Sequence, residues 1–466
     1  MKSKFLAFIA LVAATLSLSS CLNSDETVVE YTNDTAITSF SLGKLSRYTK
    51  TTAGKDTLIA DKVNGANYKF YIDQVNHQIY NVDSLPTKTR TAAVLATISS
   101  KNSSPIFIMN KNCPEKIDSA TYYSSTDSID FSQPRMVRVY NNSLNAYVTY
   151  TVKVNVHQQE GNEFNWQAKA QLNEQLAALS DLKVLALENH VGNHIYVFGK
   201  TLGEMKIYKS AASDGNNWTE VTANQTFAAA DYQNAVQMGN QLYILSDGKV
   251  YASADAATWS LVGGEDSQLK QLVGASSKYL YAFTATGIAV SKDNGATWAA
   301  QKMDADFSLL PTQNLSMNVS TIASVKNVDN VLLLGTRDAS YGDTIATLWN
   351  HVADYSANAP ESAWNYIEYD SLQSGKMSMM DQVLVCGADS GFVALGSNGK
   401  WYKSKNNGLT WGVDSLVTMP AGFSATTQRF GFCRDKDKFY WVVRNGSVWK
   451  GRFNKDGWIK DQTIFE

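Results

Sequence analysis

Apolar and polar residues alternate with a period of two through the first third of this chain, in short runs separated by Ser, Asn, Asp and Pro. Ile37-Thr38-Ser39-Phe40-Ser41-Leu42, Tyr68-Lys69-Phe70-Tyr71-Ile72, Met136-Val137-Arg138-Val139-Tyr140 and Tyr147-Val148-Thr149-Tyr150-Thr151-Val152-Lys153-Val154 are such runs. This period places successive side chains on opposite faces of a strand, so each run predicts a strand with one buried face. The last two flank Asn141-Asn142-Ser143, which predicts a closing hairpin. Residues 34–157 therefore read as a half-buried antiparallel β-sandwich.

Beyond this region the rhythm changes. All 11 tryptophans lie at or after Trp166, and this compositional step marks a domain boundary. The polar stretch from His157 to Asn162 sits at the step, so residues 158–165 read as a linker and 166–466 as a second domain. There, units of three apolar runs are each followed by a tryptophan strand. The first holds Lys183–Leu187, His194–Phe198 and Lys206–Ser210, then Trp218; the others end at Trp259, Trp298, Trp364, Trp411 and Trp458. Units of this length and makeup are the blades of a β-propeller. Six units predict six blades, with seven as the alternative. Trp166, in FNWQAK, is either an outer strand closing the last blade or the relic of a seventh.

Most of these tryptophans end a recurring phrase. It is complete at Ser291-Lys292-Asp293-Asn294-Gly295-Ala296-Thr297-Trp298, and nearly so where Ser404, Gly408, Thr410 and Trp411 keep the frame and Asn406 replaces the aspartate. SADAATW and SAASDGNNW, ending at Trp259 and Trp218, are looser copies. In such a turn the aspartate accepts backbone amides, the glycine takes a positive φ, and the tryptophan packs between sheets. The phrase resembles the Asp-box, or bacterial neuraminidase repeat, of sialidases and other secreted propellers. That resemblance implies a fold and no activity.

A sialidase needs three converging arginines. Here the propeller region has only Arg337, Arg429, Arg434, Arg444 and Arg452, none in the first three units, and no Arg-Ile-Pro signature. Asp293-Asn294-Gly295 lacks the spaced oxygen ligands of an EF-hand, and the interruption by Gly192 denies His190 and His194 the single helical face of a zinc site. No nucleophile elbow, phosphate loop or dinucleotide fingerprint occurs. The sequence thus predicts no catalytic residue, metal or cofactor, although a glycosidase carboxylate pair is not legible in sequence. For a ligand, the longest interval between repeat tryptophans, Trp298 to Trp364, offers Tyr341 and Trp349 for stacking and Arg337 and Asp343 for polar contacts.

At the chain's start, Lys2 and Lys4 precede the apolar run Phe5 to Leu18, too short for the roughly 20 residues of a bilayer span and typical of a secretory signal over residues 1–20. Leu18-Ser19-Ser20-Cys21 resembles a bacterial lipobox, which implies cleavage before Cys21, its acylation, and a tether over residues 21–33. The resemblance places the protein on the outer membrane by a lipid anchor, facing the cell surface, with the periplasmic face as the alternative. Formal charge is −2, from 41 basic and 43 acidic residues that are interspersed, which removes nucleic acid as a partner. Cys113, Cys386 and Cys433 cannot all pair internally; buried free thiols in adjacent repeats are the expectation for the last two.

The whole arrangement resembles a family of two-part surface lipoproteins of Gram-negative gut bacteria, with an Ig-like front module and a propeller behind. The expected function is non-catalytic binding or adhesion, in which the propeller engages a glycan or an extracellular protein. The alternative is a secreted glycosidase with an unrecognised carboxylate pair.

Overall fold

In a computed structural model the chain is described over residues 33–321, 325–369, 373–425 and 428–458. The expected signal, and Cys21 with its lipid, lie outside these residues. The described chain forms two compact units that divide between Glu160 and Gly161.

The first unit carries a three-stranded sheet, in the order Ile37–Leu42, Val94–Ser100, Ser128–Ile129, and a separate hairpin, Lys44–Lys50 with Asp56–Asn64. Its six-stranded sheet runs Phe70–Asp73, Gln78–Asn81, Tyr147–Lys153, Arg135–Tyr140, Ile106–Ile108, Thr121–Tyr122. Ile37, Leu42 and Ile98 from one sheet and Val137, Val139 and Val152 from the other share one core. The closing hairpin forms as expected, with Tyr140 opposite Tyr147. Asn141 holds its turn: the side-chain oxygen accepts from the backbone N–H groups of Asn145 and Ala146. One expectation is corrected. The sheet is not wholly antiparallel, because Gln78–Asn81 pairs parallel to Tyr147–Lys153.

The second unit contains six four-stranded antiparallel sheets. Their innermost strands are Asp181–Asn189, Val236–Met238, Gln271–Ala275, Gln313–Thr321, Val383–Ala388 and Gly431–Arg434. Each of these contacts the next, and the sixth contacts the first. Five sheets use consecutive strands. The sixth takes its outer strand from the other end of the unit, Phe164–Ala168, which pairs antiparallel with Ser447–Phe453. Trp166 therefore supplies an outer strand. Trp458, expected to end a sixth tryptophan strand, instead follows the short 3₁₀ turn Asn454–Gly457.

The repeat tryptophans fill the seams between sheets. Trp218, Trp259, Trp364 and Trp411 are buried, and each packs with side chains of its own sheet and the preceding one, as does the partly buried Trp298. The turn before Trp298 shows why the phrase is spelled as it is. Asp293 accepts from the Thr297 N–H (2.9 Å) and hydroxyl (2.6 Å), Ser291 Oγ accepts from the Gly295 N–H (2.7 Å), and the indole of Trp298 donates to the Gly295 carbonyl (3.2 Å). Gly295 has φ of +95°, open to glycine at little cost. The second copy repeats the scheme with an amide: Asn406 Oδ1 accepts from the Thr410 N–H, and Ser404 Oγ accepts from the Gly408 N–H.

These bonds hold the Asp293 carboxyl below its ordinary range, the Thr297 hydroxyl being the largest cause. A depressed folded pKa contributes stability above the unfolded value and loses it as pH falls through the folded one. Asp293→Ala is expected to cost about 1 kcal/mol in denaturant unfolding at pH 7. Asp293→Asn should be near neutral, as Asn406 is in its turn, and should abolish this turn's contribution to acid sensitivity below pH ~4. Equal losses for the two variants would contradict this account.

Candidate functional site

The residues that lead into the six innermost strands converge at one end of a cavity of about 810 Å³. Asp181 opens the first strand; Tyr232 and Gln233 belong to the 3₁₀ segment Ala229–Asn234 before the second; Gln271 opens the third. Gln313 and Asn314 open the fourth, Asp381 and Gln382 precede the fifth, and Arg429 precedes the sixth. Strand alternation sorts the side chains. Along Asp181–Asn189, Leu182, Val184 and Leu187 are buried, while Asp181, Lys183 and Leu185 line the cavity and stay partly open. Deeper walls come from Val273, Met317 and Leu384. The cavity is thus lined by polar and apolar side chains together, with the polar ones gathered where the inner strands begin.

Several mouth residues are already committed. Arg429 Nη1 donates to Asn314 Oδ1 (2.7 Å) and to the Asp381 carbonyl (2.9 Å), and its Nε lies 3.6 Å from Asp181 Oδ2. The Gln382 amide closes a two-way bridge with the Phe430 backbone, donating at 2.9 Å and accepting at 3.0 Å. Burial keeps the Tyr232 phenol protonated, its pKa raised further by Asp181. Other groups remain available. Lys183 Nζ donates to the Gln233 carbonyl (3.0 Å), and burial pushes its ammonium down to about 8. The side-chain amides of Gln271 and Gln313 have no hydrogen-bond partner among the described residues.

At the far end, Arg434 reaches Asp389 (3.0 Å) and the Gly387 carbonyl (3.3 Å). Asp435 accepts from the Trp441 indole (2.8 Å) and the Phe439 N–H (2.9 Å), and burial raises its carboxyl pKa. Cys433, which also lines the cavity, and the buried Cys386 are free thiols, both pushed up by burial and so poor nucleophiles. Among the described residues no cluster of three or more His, Cys, Asp or Glu could hold a metal.

The residues singled out from sequence lie elsewhere. Arg337 and Asp343 form a two-pronged ion pair (2.8 and 2.6 Å), and the guanidinium sits 4.2 Å from the Tyr341 ring centre. The three are brought together, but they satisfy one another and do not line the cavity. Trp349 is fully buried and donates its indole N–H to the Leu309 carbonyl (3.1 Å), so it is core and offers no stacking face. Sequence reasoning missed the mouth. Its signal is present nonetheless: Asp181, Gln271, Gln382 and Arg429 are polar residues just ahead of four of the six inner apolar runs.

Residues 160–461 match the family model described as the DUF6242 beta propeller domain, and residues 40–154 match the DUF6242 N-terminal domain. The chain belongs to the DUF6242 family. The cavity accordingly lies within the DUF6242 β-propeller domain. No curated protein matches the chain. Solved structures similar to it include an α-L-arabinanase of Penicillium chrysogenum complexed with arabinobiose (13% identity, covering 59% of this chain and 93% of that chain, TM-score 0.35). An α-L-arabinofuranosidase of Fusarium graminearum (13%, 63% and 98%, 0.36) and YCF48 of Cyanidioschyzon merolae (15%, 61% and 98%, 0.32) are others. At these scores the alignments say nothing about what the DUF6242 cavity holds.

Proposed function

We propose that this DUF6242 protein is a non-catalytic binding protein, tethered through a lipid on Cys21 to the outer membrane and facing the cell surface. An Ig-like module then precedes a six-bladed propeller in the chain, and the propeller cavity receives a group of a glycan or extracellular protein. The observation that carries the reading is the mouth, where polar side chains from all six inner strands or their lead-in segments meet above apolar walls. Such a concave site, with polar groups converging beside a few apolar side chains, suits ligand binding.

Glycoside hydrolysis needs two carboxyl groups set across a bond. Of the carboxylates that line the cavity, Asp181 lies against Arg429, and Asp435 is bound by Trp441 and Phe439.

A glycan array paired with a hydrolysis assay tests the proposal. Binding without turnover is expected, and Gln271→Trp, which fills the mouth, should weaken that binding at least tenfold. Released sugar would establish the glycosidase alternative. Binding indifferent to Gln271→Trp would move the site off the cavity.

A further inference from the structure

Lys183 lines the propeller cavity as a cation with no ion-pair partner among the described residues. Its one hydrogen bond is to a neutral carbonyl, so donors on the same ammonium remain unused. Apart from Asp381 at the rim, the charged and titratable groups around it are paired within the protein or neutral. On its own strand, Asp181 lies against Arg429. From the segment ahead of the second strand, Tyr232 is protonated. The second, third and fourth inner strands present the neutral Gln237, Gln271 and Met317. On the sixth strand Cys433 is an un-ionised thiol, Arg434 is taken by Asp389, and Asp435 by Trp441. From the fifth side, Asp381 sits at the rim and Leu384 below it.

We propose that the cavity receives the carboxylate of a uronic acid, with the Lys183 ammonium as its counter-ion. This rests on the reading of the cavity as the ligand site. A single ammonium without a paired carboxylate calls for a monoanion, since a dianion would leave one negative charge unpaired and desolvated. The free amides of Gln271 and Gln313 choose the body that carries it. Each offers donors and an acceptor suited to hydroxyl groups, which a sugar ring has and a protein's Asp or Glu side chain lacks. Leu185, Val273 and Met317 would face the ring's carbon–hydrogen surface. The lowered pKa adds a pH signature: the ammonium titrates near 8, so carboxylate affinity falls as pH rises through that value.

The test uses the full chain and four probes in calorimetry or ligand-observed NMR: glucuronate, galacturonate, glucose and glutarate. One of the uronates should bind at least tenfold tighter than glucose and glutarate at pH 6.5, and should weaken at pH 9. Lys183→Met should reduce uronate affinity at least tenfold and glucose affinity by much less; Lys183→Gln, which keeps a polar donor but no charge, should show the same contrast if the Met variant folds poorly. Uronate binding that survives both substitutions, or that is flat from pH 6.5 to 9, overturns the proposal. Glutarate binding equal to uronate overturns it in favour of an acidic protein side chain. If glucose binds and is blocked by Gln271→Trp while the uronates gain nothing, the carboxylate fails and the cavity reading stands. If no probe binds in a way that Gln271→Trp alters, both fail.

Discussion

Trp349→Ala should destabilise the propeller by roughly 3–5 kcal/mol, the range for removing a fully buried large aromatic side chain. The indole has no exposed surface and packs with Val331, Leu333 and Val290 in the seam between the third and fourth sheets. It also lies against Tyr366, with ring centres 5.4 Å apart. Neighbouring strands cannot collapse far into the vacated space, because their backbones are held by ladder bonds on both sides. The Leu309 carbonyl would also lose its donor, adding about 1 kcal/mol if water cannot replace it. A ligand-stacking tryptophan predicts the opposite pattern, with near-normal stability and lost binding. Urea unfolding followed by near-ultraviolet circular dichroism separates the two, and a loss below about 1 kcal/mol would refute the core assignment. Trp349→Phe should recover much of the loss.

The same residue shows where sequence reading stops. Trp349 follows a polar loop, so it looks like a binding residue from the chain alone; in its strand, Thr347–Asp354, it shares the buried face with Thr347, His351 and Ala353, while Val352 on the opposite face is exposed. Period-two runs such as Ile37–Leu42 and the repeated tryptophans were legible because the physics that forms them is local: alternation, turn chemistry and ring burial. The parallel pairing of Gln78–Asn81 with Tyr147–Lys153 leaves no turn between its partners, and so has no local signature. The cavity mouth is hidden for a related reason. Asp181, Gln271 and Arg429 lie far apart in sequence and read as ordinary loop polarity until successive inner strands bring them to one end.

Closure of the sixth sheet is the other feature that only the three-dimensional arrangement reveals, and it carries the second large prediction. A chain beginning at residue 160 should fold cooperatively, whereas one beginning at residue 169 should lose on the order of 3 kcal/mol or more. The shorter chain lacks Phe164–Ala168 and its full register against Ser447–Phe453. It also lacks two aromatic rings: Phe164 packs against Phe453 (5.0 Å) and Trp401 (5.7 Å), and Trp166 packs against Trp401 (6.2 Å) while donating to the Thr418 carbonyl (2.9 Å). The two rings are partly buried and each contributes less than the ~1.5–3 kcal/mol of full burial, but with the lost ladder bonds, at about 1 kcal/mol each, they outweigh the entropy regained by one short strand. Removal would also leave Ser447–Phe453 as an open edge, a template for association with other chains. The shorter chain should therefore aggregate at concentrations where the longer one is monomeric. A synthetic peptide covering residues 161–170 should restore both properties by adding the missing strand in trans. Equal midpoints for the two chains in thermal unfolding, with no response to the peptide, would mean that the sixth sheet does not depend on the strand that begins the unit.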